Sequence, residues 1–372
     1  MSSDLTHAEI AIIGAGPAGT AAAIHLGQLG VRNTILVDRH DFPRDKTCGS
    51  GVSPKGLDIL KALGVWDQIL PEAYWIKGLK LVTPGGREVF LSGGDKAAAI
   101  ICCRRILDHV LLKRALSLGV QFIPRFDAEA LMFDGDRVAG VRSREGQMIR
   151  AKYTVVADGA HSRFTVNTKP KRLMQAIMGW WDHVPFEPNH VEMVFDRLLA
   201  PCYGWLFPES PMKVNIGICY EDPDHTKNAR TLFQQFLNKH YRARLSGSVQ
   251  VGEWKGHPIS YSYDIGPLQS PGRLVIGEAG RMTHPATAEG IYQGMRTGMI
   301  AAETLRDVVT KSGTEQQAWN NYESRCREAF GFSFRSAKLW RRVIQSPIPD
   351  WLVGFGQRPA IKTAIGKLMA QM

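Results

Sequence analysis

The sequence is poor in several signals that would place it in other large classes. Its six cysteines (Cys48, Cys102, Cys103, Cys202, Cys219 and Cys326) form no C-x-x-C pair and have no His-rich spacing around them, which argues against a structural zinc site. In a chain of 372 residues they need not be paired for stability, and a reducing cytoplasm is the expected compartment. Residues 1–9 are polar and hold no apolar core of signal-peptide length. No apolar run reaches the roughly 18 residues that a membrane-spanning helix needs. Internal repeats, low-complexity tracts and a second G-x-G-x-x-G are also missing.

Beyond these absences the composition is that of an ordinary globular protein with a basic excess. Hydrophobic residues make up 44% and charged residues 22%, enough for one large domain or two closely joined ones. The 46 Lys and Arg outnumber 35 Asp and Glu, for a formal charge of +11. Such an excess favours anionic partners such as dinucleotides, prenyl diphosphates, acidic phospholipids or nucleic acid. A generally solvated basic surface explains it equally well.

The apolar run 10–13 ends in glycines, a small-residue helix is expected over 17–29, and residues 34–37 form a second apolar run. This reads as strand, helix and parallel strand. A basic, glycine-rich segment follows at 44–56, then a helical pattern over 104–117 and strand-like pieces near 120–123, 128–133 and 138–144. Val155-Val156-Ala157 reads as another buried parallel strand. Between about 165 and 265 the pattern changes to longer aromatic and Met-rich strands with a helix at 229–240. Leu274-Val275-Ile276 then returns the chain to the first unit. The expected fold is α/β: a Rossmann-type nucleotide-binding domain (1–164 and 266–310), an inserted antiparallel-sheet substrate domain (165–265) and a helical C-terminal region (311–372).

The chemistry begins at Gly14-Ala15-Gly16-Pro17-Ala18-Gly19. In G-x-G-x-x-G the first glycine permits the tight turn, the second admits a pyrophosphate close to the backbone, and the third lets helix and strand pack. The helix N-terminus behind it offers free N–H groups and a positive dipole end. Asp38 follows 19 residues after Gly19, at the end of the second strand, placed to accept from ribose hydroxyls.

Several distant segments share a further likeness. The Gly14 turn, Val155 to Ala160 (V-V-A-D-G-A) and the stretch 274–298 together resemble FAD-dependent oxidoreductases of the p-hydroxybenzoate hydroxylase fold. Four stretches narrow this to the geranylgeranyl reductase family. Lys46-Thr47-Cys48-Gly49-Ser50-Gly51 is similar to K-x-C-G-G-G. Arg104, Asp108 and Leu111 match R-x-x-x-D-x-x-L. Tyr203 to Pro208 matches Y-x-W-x-F-P, and Thr287 to Ile291 resembles T-G-E-G-I. There are two departures: Glu278 stands where the family has the Asp of G-D-A, and Cys219 ends the G-x-G that follows F-P, giving an expected bulkier cavity wall.

The resemblance implies that Gly14, Gly16, Ala18, Gly19, Asp38, Lys46, Arg104, Asp158, Gly277, Glu278, Pro285, Gly290 and Ile291 hold FAD. Asp38 would take the adenosine ribose and Arg104 the pyrophosphate. Pro285 and the helix start at Gly290-Ile291 would lie against the isoalloxazine ring. An exposed helix-start salt bridge is the other reading of Arg104. The implied reaction is saturation of isolated prenyl double bonds, which calls for a dry, aromatic site with one proton donor. Trp180, Trp181, Tyr203, Trp205 and Phe207 are candidate linings, although Trp180 and Trp181 fit a strand core equally well. Cys48, Tyr203 and His284 are candidate donors, and Trp205 completes the catalytic set. NADPH or a ferredoxin-like protein would supply electrons.

The stretch 335–372 has seven basic residues, one acidic residue and scattered apolar ones. It suits either a peripheral membrane surface or a helical cap. Two other readings stay open: a flavin monooxygenase or halogenase acting on an aromatic molecule, and a basic nucleic-acid- or membrane-binding protein. The last leaves the spaced flavin segments unexplained, so no nucleic-acid partner is expected.

Overall fold

A computed structural model describes residues 5–92, 99–169, 171–310 and 314–355. Strand Leu5–Ile13 lies at the heart of the first sheet, parallel to Met148–Val156 on one side and Thr34–Val37 on the other. Gln121–Ile123 and Arg273–Val275 extend this parallel arrangement outward. Ile10, Ala11 and Ile12 are fully buried, as expected of a strand covered on both faces. Strands Ala128–Asp134 and Arg137–Ser143 add antiparallel to the side of Met148–Val156.

Helix Pro17–Gln28 follows directly from the glycine turn, with proline in its first turn, where no N–H is needed. Its alanine face lets helix Ile291–Val309 come unusually close. A β-carbon added at Gly298 would lie 2.4 Å from the Ala18 carbonyl oxygen. The chain's late return therefore plugs the first βαβ unit.

The second sheet has seven strands. Arg172–Asp182 lies between Lys213–Tyr220 and the edge strand Val249–Tyr261, both antiparallel to it. Gly204–Pro208 and His190–Val194 continue the sheet. Two more strands, Gly78–Val82 and Glu88–Ser92, complete it, the former pairing parallel with His190–Val194. This corrects the expected division: the second sheet also recruits residues from inside 1–164, and one of its pairings is parallel. The short run around Leu79, Lys80 and Leu81 alternates as any half-buried strand does, so nothing local marks its distant partner.

Helix Glu315–Ile344 crosses both units and is followed by Ile348–Phe355. Arg341 is 4% exposed and reaches the second sheet, donating to the hydroxyls of Tyr261 (3.0 Å) and Tyr263 (2.7 Å) and to Glu221 (2.6 Å). Asp350 caps the loop at Thr83 and Gly85. Through Asp350, then, the tail packs as a cap. Residues 356–372, which carry the remaining apolar and basic positions of that stretch, lie outside the described residues.

Candidate active site

One cavity of about 580 Å³ runs from the glycine turn to the second sheet. At its first end Gly14 adopts φ +103°, and a β-carbon there would lie 2.4 Å from the Ala157 carbonyl oxygen. At Gly19 a β-carbon would lie 1.9 Å from the Gly14 carbonyl oxygen. Gly16 differs: space opens in front of it, with only the Arg104 and Arg44 guanidinium nitrogens at 3.9 Å. Two cations facing a bare glycine turn at a helix N-terminus make a receptor for a pyrophosphate.

Arg104 is nevertheless committed elsewhere as well. Its Nε and Nη2 donate to both carboxylate oxygens of fully buried Asp108, at 2.7 and 2.8 Å. Arg44 shares that carboxylate at 3.2 Å and leaves its Nε without a hydrogen-bond partner. Arg104 is thus neither an exposed salt bridge nor a free cation; it anchors the pair on Asp108. Arg44 is not singled out by the sequence, because only the fold brings it to Gly16.

Asp38 lines the cavity, accepting from Ala15 N–H at 2.9 Å and His40 N–H at 3.0 Å. Each carboxylate oxygen has further accepting capacity toward ribose hydroxyls. Asp158 also lines the cavity, and burial raises its pKa to about 6. Glu278 accepts from Ser260 N–H at 2.9 Å, and burial raises its pKa as well. Ala18, Gly290 and Ile291 are lining residues too. An FAD fits this set: the arginines face the turn, Asp38 offers acceptors, and the helix start at Gly290-Ile291 opens onto the cavity.

Three expected cofactor residues fall outside the lining, Gly19 being given over to the close packing of helix and turn. Gly277, with φ +56°, abuts Ala18 and serves helix packing, while Pro285 is buried within its loop. His284 is likewise outside. It is 1% exposed, and its Nδ1 accepts from the Ala286 and Thr287 N–H groups at 3.3 and 3.2 Å. It organises the loop, and burial lowers its pKa to about 4.

The second end is aromatic. Tyr203, Trp205 and Phe207 lie two residues apart, so one face of the strand region presents all three to the cavity. Neighbouring ring centroids are 6.2 and 6.1 Å apart. Trp205 Nε1–H donates to Asn215 at 2.7 Å, which satisfies its polar atom and fixes the ring. The Tyr203 hydroxyl donates to the Thr287 carbonyl. Met178, Met193 and Ile259 complete an apolar wall. Trp181 belongs to the core behind the sheet and Trp180 hydrogen-bonds Glu209, so neither lines the cavity. Cys219 is fully buried outside the lining, its thiol bonded to the Tyr203 carbonyl at 3.3 Å, so it does not narrow the wall as expected.

Between the two ends lies the Lys46 to Gly51 loop. Cys48 lines the cavity and accepts from Ser50 N–H at 3.3 Å. Lys46 Nζ lies 2.6 Å from His257 Nε2, and burial lowers its pKa to about 8. Burial and the Lys46 charge hold His257 neutral, near a pKa of about 3, so the ammonium donates to the imidazole. His257 and Glu289, both lining residues, are not among the candidates that the sequence suggests.

The FAD binding domain family matches residues 7–212 of this chain. Digeranylgeranylglycerophospholipid reductase 1 of Methanothermobacter thermautotrophicus is 28% identical over 345 residues, covering 88% of this chain and 84% of that protein. Menaquinone reductase of Mycobacterium tuberculosis is 28% identical over 320 residues, covering 80% and 76%. Among solved structures, a geranylgeranyl bacteriochlorophyll reductase-like protein of Thermoplasma acidophilum superposes with a TM-score of 0.83 at 20% identity, covering 94% of this chain and 90% of that one. A flavin-dependent brominase gives 0.82 at 20% identity, covering 98% and 94%. The chain belongs to the FAD binding domain family and is an FAD-dependent oxidoreductase.

Proposed function

We propose that this enzyme saturates isolated carbon–carbon double bonds in the prenyl chain of a lipid or quinone. The observation that carries this reading is the wall of Tyr203, Trp205 and Phe207, which shares one cavity with the glycine turn and Asp38. Reduced FAD supplies the hydride when bound. The protein's part is to hold an unreactive alkene still, keep water out and stabilise positive character at the more substituted carbon. Aromatic faces do the last of these through their negative quadrupole, and they pack well against isoprene units. The relatives named as reductases of a digeranylgeranylglycerophospholipid and of menaquinone support the same substrate class.

Electrons come from an external donor, NADPH or a ferredoxin-like protein, in keeping with a sequence that holds one G-x-G-x-x-G. A peripheral membrane location suits the substrate, and exposed Phe332, Leu339 and Trp351 beside Arg335, Lys338 and Arg342 support it. No helix among the described residues is long and apolar enough to cross a membrane. Oxygen chemistry on an aromatic substrate is the second reading, favoured by the likeness of fold to a brominase. Stopped-flow mixing of anaerobically reduced enzyme with geranylgeranyl diphosphate or a digeranylgeranylglycerophospholipid separates the two. Reoxidation by a prenyl substrate is expected. Reoxidation by oxygen alone, with coupled hydroxylation or halogenation of an aromatic molecule, would overturn the proposal.

A further inference from the structure

Prenyl reduction, the reading on which the assignment below rests, requires an acid beside the alkene, and the three donors suggested by sequence do not serve equally. His284 lies outside the cavity, the Tyr203 hydroxyl is spent on the Thr287 carbonyl, and the Cys48 sulfur, though in the lining, is engaged by the Ser50 N–H. A fourth group stands in the lining. Glu289 directly precedes the helix start at Gly290, and its backbone is held by His284 N–H donating to its carbonyl at 2.8 Å. One carboxyl oxygen accepts from Gln293 Nε2 at 3.1 Å. The other, Oε1, is buried beside Ser53, also a lining residue, whose side chain and backbone N–H face the carboxyl. A carboxyl held by neutral donors and shielded from water at a cavity wall is placed to pass a proton to what the cavity binds.

We propose that Glu289 is the catalytic acid, delivering its carboxyl proton to one alkene carbon as the other receives hydride. The step balances. The alkene π pair takes the proton from Glu289, the neighbouring carbon gains the hydride supplied by reduced FAD, and the product holds two more hydrogens. FAD is left oxidised until the external donor reduces it, and the Glu289 carboxylate regains a proton from water. Burial keeps this carboxyl above the ordinary glutamate range, opposed by Ser53, Gln293 and the charge of Lys55. The remaining groups that couple to it, Tyr203 and Tyr292, are neutral phenols with raised pKa values, so Lys55 is the one charge facing it among these. A protonated acid in a dry site is the form the reaction needs.

The test uses full-length FAD-loaded protein as wild type, Glu289→Gln and Glu289→Asp. Each is reduced anaerobically and mixed with geranylgeranyl diphosphate and a digeranylgeranylglycerophospholipid in turn. Glu289→Gln should bind FAD and accept electrons as wild type does, yet reoxidise with prenyl substrate about 100-fold more slowly or worse. Glu289→Asp should recover part of that rate. Independently, infrared difference spectra of the apoprotein around neutral pH should show a protonated carboxyl band that Glu289→Gln removes. Prenyl turnover by Glu289→Gln within about threefold of wild type would overturn the assignment, as would a Glu289 ionised at neutral pH. A wild type that turns over none of the probes would instead sink the substrate reading, and this proposal with it.

Discussion

Trp205 lies flat against Gly217. A β-carbon built at residue 217 would come within 2.2 Å of the indole Cζ2, so the glycine is what allows the ring its place. Gly217→Ala should drive the indole toward the cavity and strain its bond to Asn215. Overpacking of this kind costs about 1–3 kcal/mol. The expected outcome is a lower melting temperature and weaker prenyl turnover with unchanged FAD affinity, read by calorimetry, steady-state kinetics and flavin fluorescence.

Ala288 has φ +55°, a left-handed conformation that a β-carbon disfavours by about 1–2 kcal/mol. The resembling family has glycine at this place in T-G-E-G-I, which the geometry explains. Ala288→Gly should therefore raise the unfolding free energy by about 1 kcal/mol and leave activity intact. Denaturant titration checks it, and a loss of stability would show that the loop relies on Ala288.

Arg341 joins the C-terminal helix to Glu221, Tyr261 and Tyr263 in a buried network. Removing one partner strands the others, typically at about 3–5 kcal/mol. Arg341→Met should lower stability by about that much. It should also loosen the Cys202 to Tyr203 segment, because Arg341 contacts the Cys202 thiol and Gln345 its carbonyl. Proteolysis near residue 202 would report the loosening.

Asp158 gives a pH signature. Burial raises its folded pKa to about 6 from an ordinary 3.8, so between those values the folded protein binds more protons than the unfolded one. Its contribution is therefore most favourable below pH 3.8 and is lost as pH rises through 6. In the apoprotein, Asp158→Asn should gain about 2 kcal/mol on wild type between pH 4 and pH 7. Paired urea titrations at the two pH values measure the difference.

At the other end of the cavity, Asp38→Ala removes acceptors from the ribose position and strands Ala15 N–H. Loss of a hydrogen bond to a charged group costs about 1.5–3 kcal/mol, so FAD should bind roughly 10- to 100-fold more weakly. Equilibrium dialysis checks this, and unchanged retention would remove Asp38 from the site.

Local patterns announced local structure. Helices Arg104–Ser117 and Ala229–His240 and strand Thr34–Val37 occupy the very residues their periodicity marks. The α/β class followed from one apolar run, a glycine turn and a small-residue helix. Relations across the chain were not legible. Gly78–Val82 reads the same whichever sheet it joins, so the second sheet's share of residues 1–164 had no local signal. Nor does a sequence say which polar atom will be buried without a partner. Arg44 and His257 therefore carry no local mark of their place in the cavity and Glu289 none beyond its motif, whereas His284, conspicuous beside a proline, lies outside the cavity and organises its own loop.

The central claim is alkene saturation in a flavin-bearing aromatic cavity, and mass analysis tests it most directly. Enzyme kept reduced under anaerobic conditions is incubated with the prenyl panel and the products are weighed. The account predicts a gain of two hydrogens for each double bond reduced. Unchanged prenyl chains, together with oxygen or halogen added to an aromatic substrate once air is admitted, would contradict it.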